Sequence, residues 1–454
     1  FVGGTNIYVG PLGKLVIDGG HVAVETLHSA ASGLDFRSGL LTIYSSAAVS
    51  DGLAQPVNGL NVPAGGTLVL GDINYPTNNV AGPLRSAPGA RVVVGSPLAV
   101  VGDADIFNGV NLQGTLEIGA NSLALNSRGY ARLGELTTLN GGQLNAVNGV
   151  ALPAGTVLAG HGVVAARVAG EAGALIDAAG PLTLGNAARP AAFQFSGELR
   201  TGEHAVFLES TTPAGLGYLT TVGYGSMPGV LSATNGFTLD FGEVISGFGS
   251  VHSSNVPDKR AVINGVVLGT SPATPLTFSG YVTGVGTFDN VTFAGTYSPG
   301  LSLARVSVGN IELAATNTLL MELAGSGQGT GHDAIVTDGT LALGGTLRIA
   351  TAEGFTPAIG ASFDLFDWGH VTGAFSSIVL PSLYGRAWDL SQLYSHGILA
   401  VAGASLAADF DADGDVDAAD FAIWSAGFGT GMTKAQGDAD GNARVDGADF
   451  LLWQ

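Results

Sequence analysis

The segment Asp409–Asp420, DFDADGDVDAAD, places six carboxylates within twelve residues near the end of a 454-residue chain. Like charges at this density repel one another unless a cation lies among them. Carboxylate oxygens at alternate positions are the ligands that a hard cation such as Ca²⁺ prefers. The spacing therefore predicts a calcium site, with its ligands at Asp409, Asp411, Asp413, Asp415, Asp417 and Asp420.

These residues match the EF-hand calcium loop position by position. That loop has oxygen ligands at positions 1, 3, 5, 7, 9 and 12, and glycine at position 6, which is Gly414 here. A second loop, DADGNARVDGAD, begins 29 residues after the first. Ala443 stands at its glycine position, so we expect this site to be the weaker or less regular one. Its expected ligands are Asp438, Asp440, Asn442, Arg444 (through its carbonyl alone), Asp446 and Asp449.

Both loops lead directly into apolar segments, DFAIW at Asp420–Trp424 and DFLLW at Asp449–Trp453. Val416 and Val445 both occupy position 8, whose apolar side chain normally faces the paired loop. A disordered acidic tail is the alternative interpretation, but such a tail needs neither the valines nor the aromatic segments. We therefore expect two loop–helix units, two Ca²⁺ ions, and folding that depends on their binding. The expected small core consists of Phe421, Ile423, Trp424, Phe450, Leu451 and Trp453.

The duplicated loop–helix unit of residues 409–454 resembles the dockerin type I repeat. The resemblance implies two calcium loops whose units pack as a pseudo-twofold pair. In dockerins of cellulose-degrading complexes, hydroxyl residues at loop positions 10 and 11 recognise the cohesin partner. This chain lacks those hydroxyls, so the resemblance does not extend to cohesin binding. The residues at these positions are Ala418, Ala419, Gly447 and Ala448.

The composition of the whole chain restricts its partners. The net charge is −20, with 16 basic and 36 acidic residues, which disfavours nucleic acid and anionic lipid. There is no cysteine, so disulfides and thiolate chemistry are excluded. No run approaches the roughly 20 apolar residues of a membrane helix, so we expect no membrane insertion. The chain begins at Phe1, as a secreted protein does after signal-peptide removal, although a fragment would begin in the same way.

The elements before residue 405 are predicted to be short strands. Runs of four to six β-prone residues alternate with Gly, Asn, Asp and Pro, and the runs resemble one another. GVALPAGTVLAGHG at Gly149 recurs in degenerate form as GTLALGGTLRIA at Gly339. Such repeats favour a β-solenoid (parallel β-helix), with a string of β-sandwiches as the alternative. We interpret the Gly-x-Gly units, such as VISGFGSV at Val244, as tight turns, because they lack the helix that a nucleotide site requires.

The sequence pattern of the chain changes after residue 300. The segments GTLALGGTL, GFTPAIGASFDL and WDLSQLY, which begin at Gly339, Gly354 and Trp388, resemble the C-terminal part of autotransporter-type passenger regions. The resemblance implies a secreted bacterial β-helical stalk with a β-rich cap, and it implies no chemistry. We therefore predict a solenoid over residues 1–300, a β-rich passenger-like region over 301–403 and a dockerin-like calcium module over 404–454.

No catalytic constellation is evident before residue 405. Acidic residues such as Asp18, Glu25 and Glu135 are scattered, and histidines such as His161 and His332 are isolated, which favours turn or surface positions for them. A polysaccharide lyase or glycosidase is therefore the weakest hypothesis. We expect a non-enzymatic, extracellular cell-surface building block that self-associates into a fibre, surface layer or matrix, with the module clamping contacts within or between subunits. An adhesin or polysaccharide-binding stalk is the alternative.

Overall fold

The computed structural model describes residues 6–30, 33–49, 59–71, 78–101, 110–383, 386–403 and 406–454. The chain is mainly β, with 55% strand and 7% helix, and forms a β-solenoid of about 13 turns followed by short C-terminal helices. This confirms the predicted fold class. Residue 404, the predicted start of the last domain, lies outside the described residues. Within the described residues, no helix is long and apolar enough to cross a membrane.

Two compact units make up the chain. The first comprises Phe1–Tyr297 and Gly309–Ala314, and the second comprises Ser298–Val308 and Ala315–Gln454. The division into three domains at residues 300 and 403 stays a prediction. The first coils of the first unit are formed by Ile7–Val9, Leu15–Ser29 and Leu34–Val49, which pair in parallel.

Strands of the first unit stack in three parallel columns, one for each face of the coil. The first column contains Gly66–Leu70, Arg91–Val94, Thr115–Gly119, Glu198–Arg200, Leu219–Val222, Val244–Gly247, Val266–Gly269 and Thr287–Asp289. The second contains Asn78–Ala81, Leu98–Val101, Ser122–Leu125, Ala205–Glu209, Gly229–Ala233, Gly249–Ser253, Leu276–Ser279, Val291–Phe293 and Ile311–Leu313. The third contains Leu60–Val62, Leu84–Ser86, Val110–Leu112, Ala131–Arg132, Phe193–Phe195, Ala214–Gly215, Phe237–Leu239, Ala261–Ile263 and Tyr281–Gly284.

Three long strands link these columns, because each one continues around a corner of the coil. They are Leu136–Leu152, Val157–Gly170 and Leu175–Gly185. A short 3₁₀ helix, Pro257–Lys259, interrupts a turn between coils, and the strand Thr296–Pro299 follows Val291–Phe293 in the chain. The pairings between the described strands of this unit are parallel, and its antiparallel contacts are isolated bridges such as that of Tyr224 with Met227. This pattern excludes the alternative of a string of β-sandwiches, whose sheets are antiparallel.

Alternation of apolar and polar residues places the core inside the coils. In Gly66–Leu70 the side chains of Leu68 and Leu70 are buried, and Thr67 and Val69 are half-buried. Residues in register on successive coils form buried stacks of side chains. Neighbours in a stack are about 4.8 Å apart, the distance between hydrogen-bonded strands. One such stack consists of Leu68, Val92, Leu116, Thr137, Leu158, Ile176, Leu199, Thr220, Ile245, Val267 and Phe288.

The Gly-x-Gly units form turns whose backbone conformation and close packing require glycine. Gly247 and Gly249 have φ of 122° and 137°, a region that residues with a Cβ rarely adopt. A Cβ at Gly247 would collide with the carbonyl oxygen of Val222 on the preceding coil, and one at Gly249 would collide with that of Gly229. Close stacking of the coils therefore requires glycine at these corners, as the sequence interpretation proposed.

We expect Gly247→Ala to destabilise the first unit by about 3 kcal/mol, because it combines backbone strain with overpacking against a main-chain carbonyl. The measurement is thermal unfolding followed by far-ultraviolet circular dichroism. Gly129→Ala is the matched control, since a Cβ there has open space and its φ is not positive. Equal melting temperatures for the two variants would contradict this explanation of the turn.

The second unit continues with parallel strands and ends in a small antiparallel sheet. The parallel strands are Arg305–Val308, Thr318–Leu323, Ala334–Leu343, Thr346–Thr351, Phe366–Gly373 and Ser377–Val379. The antiparallel strands are Ser362–Asp364, Arg386–Asp389 and Ile398–Gly403. The helices are α1 (Leu393–His396), α2 (Ala418–Gly427) and α3 (Gly447–Trp453), with a 3₁₀ turn at Lys434–Gln436.

His332 and Asp333 are buried in this unit, at 1% and 0% exposure. The ring nitrogens Nδ1 and Nε2 of His332 lie 3.2 and 3.1 Å from the carbonyl oxygens of Gly325 and Asp364. The carboxylate of Asp333 accepts backbone N–H bonds from Ala304 and Glu322, both at 2.8 Å. His332 ends a turn, since its N–H donates to the Gly327 carbonyl at 3.0 Å and its carbonyl accepts from the Gly329 N–H at 2.7 Å. The interpretation of His332 as a turn residue is therefore confirmed, and the surface alternative was wrong, because both ring nitrogens are engaged inside the protein.

Candidate metal centre

The two acidic loops and their helices, residues 409–454, are termed here the acidic-loop module. Asp417 and Asp446 are the N-cap residues of α2 and α3, and each accepts a hydrogen bond from the backbone N–H two residues later. Position 12 of each loop, Asp420 or Asp449, accepts a bond back from the N-cap N–H and completes a capping box. The last ligand position of each loop therefore also fixes the start of its helix.

In the first loop, the buried carboxylates of Asp409 and Asp420 hold the backbone in a ring. Asp409 accepts bonds from the N–H groups of Asp413 and Gly414, both at 3.2 Å. Asp420 accepts from Phe410 at 2.6 Å and from Asp417 at 2.8 Å. These bonds bring the two ends of the loop together, and the exposed carboxylates between them are carried on the same ring.

The second loop repeats this arrangement with its own residues. Asp438 accepts bonds from Gly441 and Ala443 at 2.8 Å, and Asp449 accepts from Ala439 at 2.7 Å and Asp446 at 2.8 Å. The two loops are thus alike in hydrogen bonding as well as in sequence.

The structure gathers most of the predicted ligands into three groups that can hold metal ions. In each group, oxygen atoms from three carboxylates lie within 4.8 Å of one another. Two groups belong to the first loop, and between them they contain its six predicted ligands, three in each. The second loop contributes one group. The groups are Asp409, Asp411 and Asp413; Asp415, Asp417 and Asp420; and Asp438, Asp440 and Asp449.

Three predicted ligands of the second loop lie outside these groups. The Asn442 amide donates to a carboxylate oxygen of Asp440 at 2.9 Å, so it lies beside the group. The Asp446 carboxylate accepts from the Ala448 N–H at 2.8 Å and caps α3. Arg444 is exposed and was predicted to bind only through its carbonyl. Their role as ligands stays a prediction.

The charges of the loops favour a cation. Repulsion by the Asp413 carboxylate raises the pKa of Asp415, and removal from water followed by repulsion from its neighbours raises the pKa of Asp411. Burial alone would raise the pKa of Asp420 and Asp449, but their backbone N–H bonds outweigh it and lower the pKa. Position 12 is therefore held ionised, and the exposed carboxylates repel one another.

Positions 4 and 6 of both loops adopt positive φ. In the first loop these are Ala412 at 60° and Gly414 at 100°, and in the second they are Gly441 at 73° and Ala443 at 62°. Each loop therefore carries one glycine and one strained alanine, in opposite order. The expectation that Ala443 makes the second loop less regular was wrong for its backbone, because the first loop bears the same strain at Ala412.

We expect Ala443→Gly to stabilise the metal-loaded module by about 0.5–1 kcal/mol, since glycine removes left-handed strain but gains entropy in the unfolded chain. The measurement is the thermal midpoint of the module in excess Ca²⁺, followed by near-ultraviolet circular dichroism. Ala426→Gly, the same chemical change within α2, should lower stability by about 1 kcal/mol. A lower midpoint for Ala443→Gly than for wild type would contradict the assignment of strain.

Reciprocal hydrogen bonds join the two halves of the module. The indole Nε1–H of Trp424 donates to the carbonyl of Asp446, and that of Trp453 donates to the carbonyl of Asp417, both at 3.0 Å. Trp424 and Asp417 each lie 29 residues before their counterparts, so the two bonds are equivalent. Each tryptophan therefore contacts the residue at position 9 of the other loop, which is the N-cap of the other helix.

An aromatic cluster lies between the helices. The ring centroids of Trp424 and Phe450 are 4.8 Å apart, and those of Phe421 and Trp453 are 5.1 Å apart. These four residues are in ring contact, as a shared core requires, but Phe421 is 39% exposed and the other three are half-buried, so their burial as a core stays a prediction. The predicted core is wrong for Leu451, which is 71% exposed, because α3 turns that side chain away from the cluster.

Val445, at position 8 of the second loop, packs on the connector between the helices. Its N–H donates to the Gly431 carbonyl at 3.1 Å, and its carbonyl accepts from the Gly429 N–H at 2.8 Å. Its side chain is 1% exposed, whereas Val416 is half-buried. The two backbone groups of Val445 therefore bond the connector, and the prediction that its side chain faces the paired loop stays a prediction.

Sequence reasoning missed the tryptophan bonds, although a signal for them was present. A tryptophan follows position 12 of both loops by four residues, and equal spacing in a duplicated unit indicates an equivalent role. Phe428, at the C-terminal end of α2, was also missed, and its ring lies 5.2 Å from that of Trp424. Nothing in the composition of the connector distinguishes Phe428 from a loop residue.

Comparison with known proteins adds no family assignment. A scan against protein-family models gave no match, and a search of curated proteins gave none either. The likeness to dockerin repeats and to autotransporter passengers therefore stays a prediction, and the fold and the acidic groups are what the structure establishes.

Proposed function

We propose that this chain is a non-enzymatic, secreted structural protein, in which a β-solenoid stalk carries a calcium-dependent module for assembly. Ca²⁺ is the metal proposed for both acidic loops, held by the carboxylates at positions 1, 3 and 12 and by the further predicted ligands of each loop. Extracellular calcium modules bind at about 10⁻⁴ to 10⁻³ M, so an extracellular setting would keep such loops loaded.

The observation that carries this proposal is the pair of equivalent loops tied together by the Trp424 and Trp453 bonds. A metal bound in one loop would fix the position of that loop's N-cap residue, whose carbonyl accepts the indole N–H of the tryptophan in the other half. Cation binding and module folding are therefore coupled. This makes the module a clamp that closes only when the ion is present. The solenoid supports the structural role because its stacked coils give a rigid, repetitive body.

The test is assembly of the full chain in about 5 mM Ca²⁺, above the affinity range of extracellular calcium modules, compared with excess chelator. Negative-stain electron microscopy and sedimentation velocity should show fibres, sheets or large oligomers with Ca²⁺ and small species without it. Asp420→Ala should behave like the chelated protein. Monodisperse monomers in Ca²⁺ would overturn the structural role, and assembly that persists in chelator would overturn the part assigned to the module.

A further inference from the structure

Three arginines of the first unit lie at one corner of its coils, where the second column of strands passes into the third. Arg128 lies in the turn between Ser122–Leu125 and Ala131–Arg132. Arg167 and Arg189 occupy the same corner two and three coils further on. Because stacked coils are about 4.8 Å apart, the three residues extend over about 14 Å along the solenoid axis. We term Arg128, Arg167 and Arg189 the arginine corner.

Hydrogen bonds to neighbouring coils fix the backbone that carries these side chains. The Asn148 amide donates to the Ser127 carbonyl at 2.7 Å, and the Ser127 hydroxyl donates to the Gly129 carbonyl at 2.6 Å. The carbonyl of Arg189 accepts from the Thr211 N–H at 3.0 Å. A ligand that binds here therefore has little backbone to order, which lowers the entropic cost of binding.

An exposed aromatic ring lies beside the arginine corner. A Cβ placed on Gly149 would lie 2.7 Å from Cε1 of Tyr130 and 2.9 Å from Cβ of Arg167, so the ring and the arginine stem meet over this glycine from the coils on either side. Tyr130 is 48% exposed, and the side chain of Val147 on the coil between them is exposed as well. Together they offer an apolar surface to the face of a sugar ring.

The three guanidinium groups are available to a ligand. None of them forms an ion pair or a side-chain hydrogen bond with any of the described residues. Arg128 is exposed, and Arg167 and Arg189 are half-buried. Only the Nε atom of Arg167 is covered, so the terminal Nη nitrogens of Arg167 and Arg189 are open to solvent.

The charge of this corner runs against that of the chain. Acidic residues outnumber basic ones by 36 to 16 overall, yet residues 126–192 contain four arginines against three acids. Those acids lie on another side of the coil, with Glu135 and Glu171 in the turns before the first column and Asp177 within it. Glu209, on the coil after Arg189, bounds the corner at that end. Cations gathered without a counter-charge repel one another, and a bound anion would relieve that repulsion.

Cationic groups that recur along an axis suit a linear anion of matching charge density. Guanidinium groups bind anionic oxygens through paired N–H donors. A nucleic-acid strand carries a phosphate about every 3.4 Å, whereas these guanidinium groups recur every one or two coils, or about 5–10 Å. The wider spacing suits a polysaccharide with a charge on each sugar or on alternate sugars.

We propose that the arginine corner binds an acidic polysaccharide, with the three guanidinium groups on its carboxylate or sulfate groups and Tyr130 against a sugar ring. This goes beyond the proposed structural role, because it gives the solenoid a ligand of its own that needs neither the acidic-loop module nor its metal.

The test is calorimetric titration of the full chain at a fixed Ca²⁺ concentration. The probes are a hyaluronan hexasaccharide, which carries carboxylates on alternate sugars, a chondroitin sulfate hexasaccharide, which adds sulfate groups, and a neutral N-acetylglucosamine hexamer. At least one acidic probe should bind about tenfold or more tightly than the neutral one, the factor of one charged hydrogen-bonded contact. Its affinity should fall as NaCl is raised from about 50 to 200 mM, because exposed charges are screened.

Variants connect the binding to these arginines. Arg167→Gln and Arg128→Gln should each weaken the acidic probe by about tenfold and reduce the dependence of its affinity on salt. Arg128 is exposed, so its substitution leaves the fold unchanged. Arg200→Gln is the matched control, because it removes the same charge from the same unit but Arg200 pairs with Glu198 on the first column. The control should stay within about twofold of wild type, since exposed ion pairs contribute little.

Melting temperatures of all variants verify folding. The proposal is overturned if neither acidic probe binds, if the neutral hexamer binds equally well, or if Arg167→Gln and Arg128→Gln both keep the wild-type affinity. A thymidine hexanucleotide that binds more tightly than both acidic sugars would also overturn it, because the corner would then recognise nucleic acid.

Discussion

Removing Ca²⁺ from the protein is expected to unfold residues 409–454 and to leave the solenoid folded. Without the ion, the carboxylates at Asp411, Asp413 and Asp415 repel one another, and repulsion from Asp413 already raises the pKa of Asp415 in the folded loop. The aromatic cluster between α2 and α3 is small, and both helices are short. Such a module cannot offset that repulsion through burial alone, so its folding free energy is essentially the binding free energy of the ions. At a hundredfold excess over the dissociation constant, one bound ion stabilises by about 2.7 kcal/mol.

This unfolding can be followed directly by NMR spectroscopy, because the chain contains four tryptophans and therefore four indole N–H resonances. Two of them, from Trp424 and Trp453, report the reciprocal bonds of the module. Trp388 donates its own indole N–H to Pro381 at 2.8 Å in the antiparallel sheet. Chelator should move the first two signals to the positions of a free indole and leave the signals of Trp368 and Trp388 unchanged.

Variants separate metal binding from general instability. Asp420→Ala removes a proposed ligand together with the acceptor of three backbone N–H bonds, so it should prevent folding of the module even in excess Ca²⁺, at a cost of about 3 kcal/mol or more. Asp258→Asn, in the 3₁₀ turn of the first unit, is the control and should change neither pair of signals. Retention of all four signals in chelator would contradict metal-dependent folding.

The second large effect is expected from pH, at Asp333. Burial raises the pKa of this carboxyl from 3.8 to about 7, although the N–H bonds from Glu322 and Ala304 oppose the rise. Between these two values the folded protein retains a proton that the unfolded chain releases. The contribution of Asp333 to the free energy of unfolding should therefore be highest below about pH 4, fall as pH rises through 7, and level off above it. The difference in pKa corresponds to a loss on the order of 4 kcal/mol.

Hydrogen exchange measures this effect locally, so that titration of the acidic-loop module does not interfere. The amides of Ala304 and Glu322 donate to Asp333, and their protection factors should fall from pH 4 to pH 7. Asp333→Asn should abolish the slope and lower protection at every pH, because its amide nitrogen faces a backbone donor, at a cost of about 1–3 kcal/mol. Asp338→Asn, at an exposed position of the strand Ala334–Leu343 that follows Asp333, should retain the slope. Protection that rises with pH would show that the carboxyl is held ionised.

Much of the fold follows from local sequence patterns. Runs such as GTLVL at Gly66–Leu70 alternate as a half-buried strand must, and glycine pairs such as Gly247 and Gly249 mark corners that no side chain fits. The acidic groups of both loops were predictable for the same reason, since each group is formed within a single twelve-residue segment. In these cases the residues that interact lie close together in the chain.

What escaped prediction depends on contacts between distant segments. Burial of His332 and Asp333 results from packing with residues up to 32 positions away, such as Asp364. Exposure of Leu451 depends on the direction in which α3 meets α2. Degenerate repeats indicate that coils stack but not which residue stands above which.

The exchange of tryptophan bonds between the two halves of the acidic-loop module has a consequence for how ions are taken up. A first ion fixes one loop and its N-cap carbonyl, which anchors the tryptophan of the other half and thereby orders the second loop in advance. The second ion then binds to a loop that is already ordered, so this binding step loses less conformational entropy than the first. With Ca²⁺ as the proposed ion, occupancy should consequently rise with a Hill coefficient above one, so that the module would respond to the ion as a threshold and not in proportion to its concentration.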